Sequence, residues 1–89
     1  MNDIVYLDPR DSVATTTRVF EKGTTFQVNG QTITTTEEIP FAHKVAVRPI
    51  AKGEQVYKYG EPIGVAIADI AVGQLVHVHN VKSNRGLKE

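Results

Sequence analysis

One short pattern recurs along this chain and limits what it can fold into. An apolar residue, two spacers, a glycine, two spacers and a second apolar residue recur as Phe20…Gly23…Phe26, Ile50…Gly53…Val56 and Ile70…Gly73…Val76. Each copy opens an extended run, and a glycine at the same place each time marks a tight corner that needs an unusual φ. Beyond the corner the copies stay in step, because Gln27 and Asn29, Tyr57 and Tyr59, and His77 and His79 occupy equivalent positions. Alternate residues of a strand share a face, so each pair is expected on one face of its strand.

The segments between the corners read as short strands. Residues 1–7 alternate weakly and stop at Asp8-Pro9-Arg10-Asp11, a turn-forming cluster; residues 13–19 form an apolar, threonine-rich run. Asn29-Gly30, between residues 24–28 and 31–35, predicts a two-residue hairpin turn because it supplies the positive φ values that turn requires. Thr32, Thr34, Thr35 and Thr36 suit a pleated surface through β-branching. Val45-Ala46-Val47 is a strand core closed by Arg48-Pro49, since proline offers the ladder no donor. Residues 55–59 form a strand closed by Gly60-Glu61-Pro62. In residues 63–67, Gly64, with Ala66 and Ala68 nearby, suggests close backbone approach, and residues 75–81 alternate with period two. No stretch sustains a period of 3.6, and at most a short helical turn fits, at residues 37–41. The expectation is a small, compact, all-β domain of short, strongly bent strands over residues 1–82, with a polar tail at 83–89.

Composition excludes several classes of function. With 89 residues the chain is one domain with a modest core. No run reaches the roughly 18 apolar residues of a membrane span, and no basic-then-apolar start marks a secretory signal, so the cytoplasm is the expected location. Cysteine is absent, which removes disulfides, thiolate nucleophiles and thiolate metal sites. Ten basic residues balance ten acidic ones without a basic cluster, so nucleic acid is not an expected partner.

Few residues can carry chemistry. On a strand, His77 and His79 would put two imidazoles on one face about 7 Å apart at the backbone, a spacing open to metal or anion binding or to a plain solvent-facing pair. A third ligand is missing nearby; His43 could supply it or cap a turn. Lys58, between Tyr57 and Tyr59, could offer an ammonium to a carboxylate with the hydroxyls donating, or simply sit in water beside half-buried rings. Lys44, Arg48 and Arg85 are further carboxylate partners or solvated cations. Glu37 and Glu38 are adjacent and face opposite ways on a strand, and Asp69 is explained by a turn. No catalytic triad order, phosphate loop or zinc spacing is present.

The runs Ile39-Pro40-Phe41-Ala42-His43-Lys44-Val45-Ala46-Val47, Ile50-Ala51-Lys52-Gly53-Glu54, Tyr59-Gly60-Glu61-Pro62-Ile63-Gly64 and Val76-His77-Val78-His79-Asn80-Val81 closely resemble one family. They are similar to the small amino-terminal segment of the altronate and galactarate dehydratases, the UxaA group of sugar-acid hydro-lyases, with Asp11-Ser12-Val13 a fainter echo of that family's Asp-Asn-Val. The resemblance implies a SAF domain with a β-clip fold, related in shape to type III antifreeze proteins and sialic-acid synthase tails. In that family the segment is a separate small subunit or the front of a longer polypeptide. The remainder is a large catalytic subunit expected to hold a divalent metal of the Fe2+ or Mn2+ type, with no cofactor bound by this segment itself.

By the same resemblance, His43 is a candidate catalytic group, and Lys44, Lys58, Tyr59, Gly60, His77, His79 and Asn80 are candidates for facing a sugar-acid substrate or the large subunit. The family usually has Gly-His-Lys where this chain has Ala42-His43-Lys44. The H-x-H pair, which the galactarate enzymes lack, favours the altronate-like branch, and sulfolactate sulfo-lyase small subunits share the general plan. Such a chain is not expected to be active alone. The competing expectations are a non-catalytic binding or assembly module, with an apolar patch at Phe41, Ile63, Val65 and Ile67, and an antifreeze-like glycan or sugar-acid binder. Strand edges leave self-association open.

Overall fold

The recurring corners set the architecture of the computed structural model, which describes residues 3–83. Gly23, Gly53 and Gly73 have φ values of 87°, 92° and 88°, in the left-handed region that side chains disfavour. The residue after each glycine donates its N–H three positions back: Thr24 to the Glu21 carbonyl, Glu54 to Ala51 and Gln74 to Ala71, at 3.0, 2.9 and 3.1 Å. That reach, with positive φ at the third position, is what a type II turn demands. Each glycine N–H bonds across to a neighbouring segment, at the carbonyls of Thr35, Ala66 and Ala46 respectively. The apolar residues on both sides of each corner are buried.

A fourth corner follows the same rules without a glycine. Ile39, Ala42 and Val45 repeat the spacing, Ala42 has a φ of 61°, the His43 N–H reaches the Pro40 carbonyl at 3.2 Å, and the Ala42 N–H reaches the Thr16 carbonyl at 3.1 Å. The corners then meet in pairs. Phe20 and Ile39 exchange both backbone hydrogen bonds at 2.9 and 2.8 Å, and Ile50 and Ile70 do so at 2.9 and 2.7 Å.

Between the paired corners lie two hairpins. Strands β3 (Thr25–Val28) and β4 (Gln31–Thr34) are joined by Asn29-Gly30, with φ values of 51° and 82°, as the sequence predicts. Strands β6 (Gln55–Lys58) and β7 (Glu61–Ala66) are joined by Tyr59-Gly60 in the same conformation, at 56° and 77°. The second hairpin has one extra residue: Val56 opposes Gly64 while Tyr57 opposes Pro62, which leaves Ile63 in a bulge. Strand β9 (Val81–Ser83) adds to β7, and Gly64 is the site of the expected close approach, because a Cβ there would lie 2.5 Å from the Lys82 carbonyl oxygen.

A four-stranded antiparallel sheet runs between the hairpins in the order β1 (Ile4–Val5), β2 (Val13–Thr16), β5 (Lys44–Ala46), β8 (Leu75–Val76). Alternation along its central strands serves two small cores. Ala14 and Val45 pack with Phe20, Phe26, Val28, Ile33, Ile39 and Val47, while Val13 and Ala46 pack with Ile50, Val56, Ala66, Ile70 and Val76. Each core is therefore centred on one bridged pair of corners. The described residues contain no helix, and so none long and apolar enough to cross a membrane.

The structure departs from the sequence reading at the third repeat. Residues 75–81 are not one strand: β8 stops at Val76, residues 77–80 turn, and β9 begins at Val81. Asn80 is the physical reason. Its side chain is 2% exposed, its Oδ1 accepts the His77 N–H at 2.9 Å, and its Nδ2 donates to the Leu75 carbonyl at 2.8 Å, so it folds the chain back on itself. Tyr59 likewise sits in a turn rather than on a strand face with Tyr57. The segment 37–41 forms no helical turn, and Ser83, expected in the tail, ends β9; residues 84–89 lie outside the described part.

Candidate functional site

The glycine-free corner aims the chain's most reactive side chains. Thr16, itself buried, donates its hydroxyl to the Pro40 carbonyl at 2.8 Å and accepts the His43 N–H at 3.2 Å, which locks the segment ahead of β5. The His43 ring is then anchored by Nδ1, 2.9 Å from the Phe41 carbonyl oxygen. A carbonyl only accepts, so Nδ1 carries the proton and Nε2 is the nitrogen left to gain or lose one. Lys44 opens β5 opposite Val76, which places the next residue, His77, beside this corner. The His43 and His77 ring centroids are 5.0 Å apart with planes tilted by 46°.

Lys44 and His77 share a cleft of about 290 Å³ with Lys58, the bulged Ile63, Val78, Val81 and Ser83. Among the described residues, none of the lining side chains is acidic. Burial holds the half-buried Lys44 ammonium below the ordinary lysine value, and the positive charge of Lys58 pushes the same way. His77 is also held below the ordinary imidazole value, first by partial desolvation and then by His43, Lys44 and His79, although it stays exposed to solvent. The Lys58 Nζ stands 5.0 Å from the centre of the Tyr59 ring. An assembly of ammonium and imidazole groups without a counter-charge is suited to an anion. It does not suit a divalent cation: no group of three or more His, Cys, Asp or Glu side chains among the described residues could hold one, and two ammonium groups repel it.

The expected site residues divide into two sets. Lys44, Lys58 and His77 line the cleft, and His43 adjoins it through His77. Tyr59 and Gly60 form the turn that follows Lys58, whereas His79 is exposed and is not part of the lining, and Asn80 is buried with its amide engaged by backbone. Tyr57 lies elsewhere, in a groove with Arg10, Ser12, Arg48 and Glu54, so the two tyrosines do not flank one ammonium. Arg48 donates to the Pro9 carbonyl at 2.7 Å, and Arg85 lies outside the described residues. Glu37 accepts the Leu75 N–H at 3.0 Å and Asp69 accepts the Lys52 N–H at 2.9 Å, both backbone tasks. Sequence reasoning assigned Ile63 to an apolar patch and not to this cleft, and it passed over Thr15, the cross-strand partner of Lys44, whose buried hydroxyl has no hydrogen-bond partner among the described residues.

A small all-β unit of bent antiparallel strands, carrying an anion-suited cleft, is the class of protein these observations define. Comparison with known families then places it: the model of the altronate/galactarate dehydratase SAF domain matches residues 2–84, and the chain belongs to that family. It is 46% identical over 74 residues to an altronate dehydratase of Escherichia coli and 34% identical over 84 residues to one of Bacillus subtilis, covering 83% and 94% of this chain. The matched parts are only 15% and 17% of those two enzymes. It is also 43% identical over 53 residues to the (2R)-sulfolactate sulfo-lyase subunit alpha of Paracoccus pantotrophus, covering 60% of this chain and 79% of that subunit.

Proposed function

We propose that this chain is the SAF component of an altronate dehydratase-like hydro-lyase, completing the active site for dehydration of a sugar acid while a larger partner carries the rest of the machinery. The observation that carries this reading is the convergence of Lys44, Lys58 and His77 on one cleft free of acidic lining, with the His43 ring beside that of His77. Family membership supports the reaction class, and the small share of the altronate dehydratases that this chain spans supports a division of labour. Any divalent metal belongs to the partner on this reading, because the donor set among the described residues does not fit one.

Dehydration breaks a C–H bond next to the carboxylate and a C–O bond at the neighbouring carbon; the departing hydroxyl takes up a proton and leaves as water. Lys44 and Lys58 hold the carboxylate by charge-assisted hydrogen bonds. His43 has one nitrogen tied to the Phe41 carbonyl, so a proton it delivers leaves from Nε2. Partial desolvation first, and then the charges of its neighbours, favour the neutral form of His77, so near neutral pH it is suited to accept a proton. The chain is co-purified with its larger dehydratase partner and altronate dehydration is measured. Activity that depends on this chain and falls when His43, His77 and His79 are changed together to Ala is the expected result; full activity without it, or with that triple variant, refutes the contribution.

A second reading has its own observation. The Paracoccus sulfo-lyase subunit is matched over most of its length, and two ammonium groups in one cleft suit an acid that carries both a carboxylate and a sulfonate. Release of sulfite from sulfolactate by the same complex, in place of altronate dehydration, would select it.

A further inference from the structure

We propose that Asp11 is a positioning residue for Lys58 and, through it, for the anion-binding cleft; this rests on the reading that Lys58 faces the anion. Asp11 is fully buried, and its two carboxylate oxygens accept the N–H groups of Tyr59 and Gly60, each at 2.8 Å. Beside it the Ser12 hydroxyl accepts the Tyr57 N–H at 2.9 Å, and the Ser12 N–H donates to the Tyr57 carbonyl at 3.0 Å. Lys58 is therefore held on both flanks by two consecutive residues, neither of which lines its cleft.

The two hairpins show why such a clamp is needed. Asn29-Gly30 takes its turn with residues at ease there, since asparagine tolerates positive φ. Tyr59 takes the same conformation without that ease, and the Asp11 carboxylate supplies what the residue type does not. The chain also closes over the tip: a Cβ on Gly60 would lie 2.7 Å from Asp8 Oδ2, and Asp8 is itself paired with Arg10 at 3.0 Å. A carboxylate at position 11 thus fixes the turn that follows Lys58, and with it the distance from the Lys58 ammonium to Lys44.

The test is made on the full chain by NMR, with two readouts: the Lys44 titration midpoint, which burial lowers and the Lys58 charge lowers further, and sulfate binding followed at the Lys58 and His77 amides. Asp11→Asn is expected to raise the Lys44 midpoint in the direction that Lys58→Ala does, and to weaken sulfate binding by up to about tenfold, the scale of losing one charge-assisted contact. In a Lys58→Ala background, Asp11→Asn should add nothing to either readout. Equal effects in both backgrounds, or none in either, would overturn the proposal. Tyr59→Asn, which suits the turn by itself, should restore folding and the lowered Lys44 midpoint to Asp11→Asn; a folded double variant in which Lys44 titrates as in Lys58→Ala contradicts it. No sulfate response in the unaltered chain counts against the anion cleft, whereas a response that Asp11→Asn leaves intact counts against the positioning role.

Discussion

At Ala42 a side chain stands where three equivalent corners have glycine, and its φ of 61° costs about 1–2 kcal/mol relative to right-handed backbone. Ala42→Gly removes that cost and adds back about 0.4–1 kcal/mol of unfolded-chain entropy, so a net gain of about 0.5–1 kcal/mol is expected in thermal or denaturant unfolding. The glycines themselves are unequal. A Cβ at Gly23 meets nothing within 4 Å, while one at Gly73 would collide with the Thr34 carbonyl oxygen, so Gly73→Ala should destabilise far more than Gly23→Ala although their φ values nearly match. At His77 the lowered pKa gives a sign: the folded chain resists its protonation, so this group's contribution is intact above the ordinary histidine range and is lost as pH falls through it. NMR titration should place the His77 midpoint below that of a free histidine, and Lys44→Gln should move it upward.

The corner is the element that sequence alone reveals best, because a type II turn demands positive φ at one position and glycine declares it. Three corners, the Asn29-Gly30 hairpin and the all-β class were legible for that reason. The fourth corner was not, since Ala42 hides the signature, and with it went the pairing of Phe20 with Ile39. Period-two alternation over residues 75–81 suggested a strand because periodicity does not report a buried side chain folding its own backbone, which is what Asn80 does. The site was legible as a set of residue types, yet its geometry was not: His43 and His77 come together across the sheet, and the H-x-H spacing contributes only one of its two rings to the cleft. Asn80→Ala leaves the His77 N–H and the Leu75 carbonyl without their partner, and should cost about 1–3 kcal/mol in denaturant unfolding while shifting the His77 amide resonance.

On the scale of the whole molecule, two small cores share one sheet, and each is built around a bridged pair of corners. The half that contains the bulge is the one whose strands line the cleft, through Lys58, Ile63, Val81 and Ser83, so the same plan used twice gives two hairpins of which one serves the candidate site. Val78 in the cleft lining, and Phe41 and Tyr59 close in sequence to His43 and Lys58, are exposed, and a larger partner would cover them on the proposed reading. The central claim is that the cleft cations hold the carboxylate of the substrate, and the kinetics of the reconstituted enzyme carrying Lys44→Ala and Lys58→Ala test it most directly. Loss of a charge-assisted hydrogen bond worth about 1.5–3 kcal/mol predicts, for either substitution alone, a rise in KM for altronate of about tenfold to more than a hundredfold. An unchanged KM in a folded, fully assembled variant would contradict the account.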